Sequence, residues 1–137
     1  MQAPTHILAG VIINKLFKWK SYRGIAFVLM AVSCLLAHGL FDALAQFTYH
    51  PAEAAVTDPF WVAYHLVVAL VSVVFLYLWW GDFKWGIIFS LLPDVDWLVI
   101  HGQHMAGVEI PFYNTPHLHN LLNALFGYGS NIEQTDH

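Results

Sequence analysis

"IAFVLMAVSCLLAHGLFDALAQ", residues 25–46, decides what kind of molecule this is. As a helix the run is long enough to cross the hydrocarbon of a bilayer, for which roughly 20 apolar residues suffice. It also carries His38 and Asp42, four residues apart and therefore on one face of that helix. A charged side chain at membrane depth costs about 2.5–3.5 kcal/mol on insertion scales, so the pair calls for a partner that offsets the cost.

The rest of the chain agrees with a membrane reading. Of 137 residues, 58% are hydrophobic and 10% charged, and the mean hydropathy is +0.58. Soluble domains run about 25% charged. The length suits a single integral membrane domain, 1–127, followed by a polar tail, 128–137, that reads as disordered. A net charge of −4 with only five basic residues argues against a nucleic-acid partner, which would need a basic patch. Cys34 is the sole cysteine and lies inside an apolar run, so neither a disulfide framework nor a thiolate metal cluster is expected. The first residues lack the order of a cleaved leader, because the basic residues follow the first apolar run. The nine histidines, more than Lys and Arg together, are the compositional anomaly.

Working outward from residues 25–46, three further apolar segments appear. "APTHILAGVIINKLF" precedes it, with Thr5 as a candidate cap, and residues 60–80 and 85–100 follow, the last broken at Pro93. "HGQHMAGVEIPFYN" reads as loop and "TPHLHNLLNALFGY" as a short helix, capped by Thr115 with Pro116 at its first position. Lys15, Lys18, Lys20 and Arg23 fall between the first two segments and Lys84 between the last two. By the positive-inside rule both turns are cytoplasmic. The expected fold is thus an all-α membrane protein of about four apolar helices in two hairpins, with turns near Ser21 and Phe83, plus a short C-terminal helix.

Hairpin turns set heights. At about 1.5 Å per residue, His6, His38 and Asp42 rise roughly 20–30 Å above the first turn, and His65, Asp94, Asp96 and His101 roughly 16–27 Å above the second. The ionisable groups of the apolar segments therefore gather in the outer half of the bilayer. "LLPDVDWLVIH", residues 91–101, adds two aspartates separated by one valine. An unbroken helix would point them about 200° apart, but Pro93 removes a donor and can break the helix so that both turn inward. Two close carboxylates repel unless something positive lies between them. Imidazole and carboxylate donors suit zinc, and also manganese or iron. The candidate metal ligands are His6, His38, Asp42, Asp94, Asp96 and either His117 or His119, with Asp42 also able to fix the tautomer of His38.

Other histidines have plainer readings. His65 sits between aromatic neighbours Trp61 and Tyr64, and His101 and His104 fall at the membrane edge. His50 and His137 read as solvated, as do Glu53 and Asp58 in their loop.

Together, "PTHILAG", "LLPDVDW", "TPHLHNLL" and "AHGLFDALA" resemble the motifs of small bacterial inner-membrane proteins described as membrane-bound metal-dependent hydrolases. Here His-x-x-x-Asp precedes the L-P-D-x-D motif, the reverse of the family order, and "NTPHLHN" replaces an arginine-bearing stretch. The resemblance implies a metal centre acting on a membrane-accessible ester or phosphoester, with Asp94, Asp96, His38 and Asp42 at the catalytic heart. The expected partners are the lipid bilayer and an amphipathic or lipid-like substrate, with self-association or membership of a larger membrane complex left open. A competing reading makes His38, His65 and His101 axial ligands of haem or a pigment in a membrane redox or light-harvesting complex. A third is a proton or metal-ion transporter.

Overall fold

The computed structural model describes residues 3–17, 23–45, 57–111 and 115–126, without the side chains of Arg23 and His104. The expected disordered tail, the solvated His50, Glu53 and His137, and the side chain of His104 lie outside the described residues. Five α-helices follow in order: α1 (Ala3–Leu16), α2 (Arg23–Ala45), α3 (Pro59–Leu91), α4 (Asp94–Ala106) and α5 (His117–Phe126). No strand occurs among the described residues. Two of these helices, α2 and α3, are long and apolar enough to cross a membrane.

α1 begins at Ala3, with Pro4 in the first turn where a missing amide costs nothing, so Thr5 lies inside the helix and does not cap it. α1 and α2 run antiparallel, since they are joined through residues 17–22 and meet again where His6 approaches Asp42. This is the first expected hairpin.

The second hairpin is different. The expected third segment and the start of the fourth, 85–91, lie in α3, whose two helical arms meet at a kink at Phe83 (φ −126°, ψ 16°), while residues 94–100 belong to α4. Gly81 and Asp82, just before the turn expected near Phe83, are accommodated within α3. Phe75, Leu76 and Trp79 before the kink, and Leu91 beyond it, all pack against one cluster of Ile7, Val11 and Ile87. Residues 75 and 91 would lie about 24 Å apart on a straight helix. The bend is what lets both arms reach α1. Four separate apolar helices are thus not shown: the expected third and the start of the fourth are joined at the kink, which falls where the second turn is expected.

Small residues bring α1 and the far arm of α3 together. A Cβ on Gly10 would overlap the carbonyl of Gly86 and the hydroxyl of Ser90, and a Cβ on Gly86 would overlap the carbonyl of Gly10. Gly86 and Ser90 are four apart, the small-xxx-small spacing that lets helices approach closely in lipid. Phe27 of α2 meets the rings of Trp85 and Phe89 edge-on, at 5.7 and 5.6 Å. None of the residues in the most apolar window of α3 is buried within the protein, and large side chains such as Leu66, Leu70 and Tyr77 face outward. That is the surface a lipid-facing helix presents.

Two local signals explain the ends. Asp58, read as a solvated loop residue, accepts the Phe60 amide at 2.9 Å and caps α3, with Pro59 at the first helical position. α4 runs on to Ala106 through the stretch read as loop, and ends at Gly107 (φ 63°), where the Val108 amide donates to the Gln103 carbonyl at 3.1 Å. That is a Schellman ending, and a glycine adopts its left-handed residue without strain. The Gln103 side chain ties down the next residues by accepting the Ile110 amide at 2.7 Å.

Candidate metal centre

Leu92 and Pro93 separate α3 from α4, and this break positions the site. Pro93 has no amide to donate, so α3 ends and α4 starts afresh at Asp94. Ser90 lies in the last turn of α3, where carbonyls lack a partner in their own helix. His38 supplies one: its Nδ1 lies 2.7 Å from the Ser90 carbonyl oxygen. A carbonyl only accepts, so Nδ1 carries the proton and Nε2 of a neutral His38 is a bare lone pair. The tautomer of His38 is thus set by a backbone carbonyl and not by Asp42, as the sequence suggested.

That lone pair faces other acceptors. His38 Nε2 lies 3.0 Å from Asp42 Oδ2, 3.7 Å from Asp94 Oδ1 and 3.3 Å from His119 Nε2. His119 Nε2 is in turn 3.5 Å from Asp42 Oδ2 and 3.9 Å from Asp94 Oδ1. Four donor atoms, two imidazole and two carboxylate, therefore converge from α2, α4 and α5. Around a tetrahedral ion with ligands at about 2.0–2.1 Å, neighbouring donors stand about 3.4 Å apart. The observed separations bracket that value. His38, Asp94 and His119 place donor atoms within 4.8 Å of one another, as do His6, His38 and Asp42, so this His/Asp cluster could hold a metal ion, and its carboxylates would offset the charge.

The setting is buried on all sides but one. The side chains of His38, His119 and Asp42 are 0%, 10% and 16% exposed, whereas Asp94 is 37% exposed. Access is therefore from the Asp94 side, at the head of α4. Trp97, one turn on, sets its ring edge-to-face with His119 at 5.8 Å.

The remaining candidates separate. His6, fully buried on α1, stacks on His38 with ring centroids 3.9 Å apart and places Nε2 3.3 Å from Asp42 Oδ1. Asp96 does not join the donor set; its Oδ2 accepts the amides of Leu118 at 2.6 Å and His119 at 3.3 Å. Thr115, the expected cap, is replaced in that role by a carboxylate from α4, which also suits the positive end of α5. Of the two histidines left open, His119 enters the cluster, while His117 is exposed with Nε2 3.4 Å from the Thr115 hydroxyl. His65 hydrogen-bonds the Trp61 carbonyl at 2.8 Å and stacks on the Trp61 ring at 3.8 Å. His101 is exposed and stacks on Trp97 at 5.9 Å. Neither belongs to the His/Asp groups.

Sequence reasoning missed Ser90 and Gly39. Gly39, beside His38, lets α5 lie against α2, since a Cβ there would crowd Phe126 and Leu122. The small-xxx-small spacing of Gly86 and Ser90 was a legible sign of close packing; nothing in the sequence marks the Ser90 carbonyl as a partner of His38.

Compared with protein-family models, curated proteins and solved structures, the chain matches none. The likeness to the membrane-bound hydrolases rests on the motifs alone.

Proposed function

We propose that this chain is a multi-pass protein of the bacterial cytoplasmic membrane that hydrolyses an amphipathic or lipid-like ester or phosphoester with a divalent metal ion. One observation carries the reading: the Nε2 atoms of His38 and His119 lie 3.3 Å apart and 3.0–3.9 Å from carboxylate oxygens of Asp42 and Asp94, around a histidine whose protonated nitrogen is already engaged. His38, His119, Asp42 and Asp94 would hold the ion, zinc by preference and manganese or iron as alternatives. Such an ion supplies Lewis-acid activation of water and of a substrate carbonyl or phosphoryl oxygen.

The protein's own groups do the rest. The Ser90 carbonyl fixes the ring of His38, and Asp96 holds the start of α5 so that His119 points inward. Asp94, the most exposed of the four, lies where substrate would enter, and it is the member able to accept a proton there. Apolar walls at Val95 and Leu98 on α4 suit an acyl chain approaching from lipid. With both basic turns cytoplasmic by the positive-inside rule, this entrance would lie in the outer half of the bilayer.

A macrocycle fits less well than a cation. Axial ligation needs free space along the lone pair of the histidine, and that of His38 is filled by Asp42 at 3.0 Å.

The test is hydrolysis by protein purified in mild detergent and reloaded with zinc or manganese, across lipid-like esters and phosphoesters, beside the Asp94→Asn variant. Metal-dependent turnover that Asp94→Asn abolishes supports the reading. No turnover of any such substrate by protein shown to hold the metal would reject hydrolysis.

A further inference from the structure

His6 is unexplained by a single ion. It is fully buried, and both ring nitrogens lack a hydrogen-bond partner among the described residues. Buried polar atoms are nearly always satisfied, and an orphan points to water or an ion. The approach of Nε2 to Asp42 Oδ1, 3.3 Å, lacks hydrogen-bond geometry.

The stacking shows where the lone pair goes. The rings of His6 and His38 are 17° from parallel with centroids 3.9 Å apart, and both turn their Nε2 edges toward Asp42. A metal lies close to the plane of the imidazole that binds it. Two stacked, nearly parallel rings do not share a plane, so although their donor atoms lie within 4.8 Å of each other, one ion would leave the plane of at least one ring, and two positions suit them better. Two-metal hydrolytic sites hold their ions about 3.5–4 Å apart. Asp42 is divided in the same way, with Oδ2 beside His38 and Oδ1 beside His6.

We propose that His6 Nε2 and Asp42 Oδ1 form a second divalent-ion position, bridged to the first through the Asp42 carboxylate. The proposal rests on the four-donor reading of the first position and extends it. Its consequence is a substrate preference. Asp42 and Asp94 balance one divalent ion, so a second leaves the centre positive even when Asp96 is counted. An anionic group, a phosphoester before a neutral ester, is then favoured.

The experiment uses the full chain, stripped of metal and reloaded with Mn²⁺ alone, read by elemental analysis and electron paramagnetic resonance. Two Mn²⁺ per chain with an exchange-coupled spectrum are expected, falling to one per chain with a resolved six-line signal in His6→Ala. One Mn²⁺ per chain and a six-line signal in the wild-type protein would overturn the second position and leave the first intact. Two per chain in His6→Ala as well would overturn the role of His6. No bound Mn²⁺ in either protein would overturn both positions. If His6→Ala does not fold, His6→Gln takes its place, and the wild-type spectrum alone still decides between one ion and a coupled pair.

Discussion

His38 Nδ1 donates to the carbonyl of Ser90 across 2.7 Å, and that bond turns the bare Nε2 of the same ring onto Asp42, Asp94 and His119. The donor exists because α2 runs beside the far arm of α3, and the acceptor because Pro93 ends α3 just beyond Ser90. A lone pair aimed at two carboxylates is repulsive until a cation or a proton sits between them, so the site is built to be filled.

Filling it should stabilise the fold. A ligand that binds only the folded state at 100 times its Kd adds about 2.7 kcal/mol. Zinc at that excess should raise the unfolding temperature of the wild-type protein in detergent, chelation should reverse the rise, and Asp94→Asn should show neither. An equal rise in the variant would place the ion elsewhere.

Asp96 should behave as a positioning residue. Its carboxylate accepts two amides of α5, so Asp96→Ala removes a cap worth about 1 kcal/mol. With His119 less firmly held, metal affinity should fall about 10–100-fold. The number of ions bound at saturation should stay the same. A competition titration with a chromophoric chelator reads both quantities, and complete loss of binding would make Asp96 a ligand.

Asp58 gives a matched contrast. Asp58→Ala also deletes a cap, that of α3, at a cost of about 1 kcal/mol, yet it touches no residue of the site. Stability measured by denaturant should fall while metal affinity holds.

The glycine contact of α1 and α3 should be intolerant. Gly10→Ala forces a methyl into the carbonyl of Gly86, and overpacking of this kind costs about 1–3 kcal/mol. Gly81→Ala meets nothing within 4 Å and should be neutral or stabilising by about 0.5–1 kcal/mol, the usual gain over glycine inside a helix. Parallel unfolding curves of the two variants check the difference.

Much of the site was legible because short-range rules govern it. The four-residue spacing of His38 and Asp42 places both on one face, and Pro93 had to end a helix near Asp94 and Asp96. The antiparallel course of α1 and α2 followed from two apolar runs and a basic turn. What failed depended on tertiary context. The second turn comes where it was expected, near Phe83, but as a kink of one non-helical residue, with helix running up to it through Gly81 and Asp82. α4 passes Ile100 because Gly107, and not the polar stretch after Ile100, supplies the left-handed stop. Choosing His119 over His117, and giving Asp96 to the amides of α5 instead of the donor set, required knowing where α5 lies against α2. Gly39 permits that contact, and no pattern in the sequence points to it.

The central claim is that His38, His119, Asp42 and Asp94 hold a divalent ion. X-ray absorption at the zinc edge of the purified, zinc-loaded protein tests it most directly, with Asp94→Asn alongside. The account predicts nitrogen and oxygen neighbours at about 2.0–2.1 Å, imidazole scattering and no sulfur, with loss of this environment in the variant. A zinc–sulfur distance of about 2.3 Å would point to Cys34, and a spectrum of hydrated zinc to no site at all; either would contradict it.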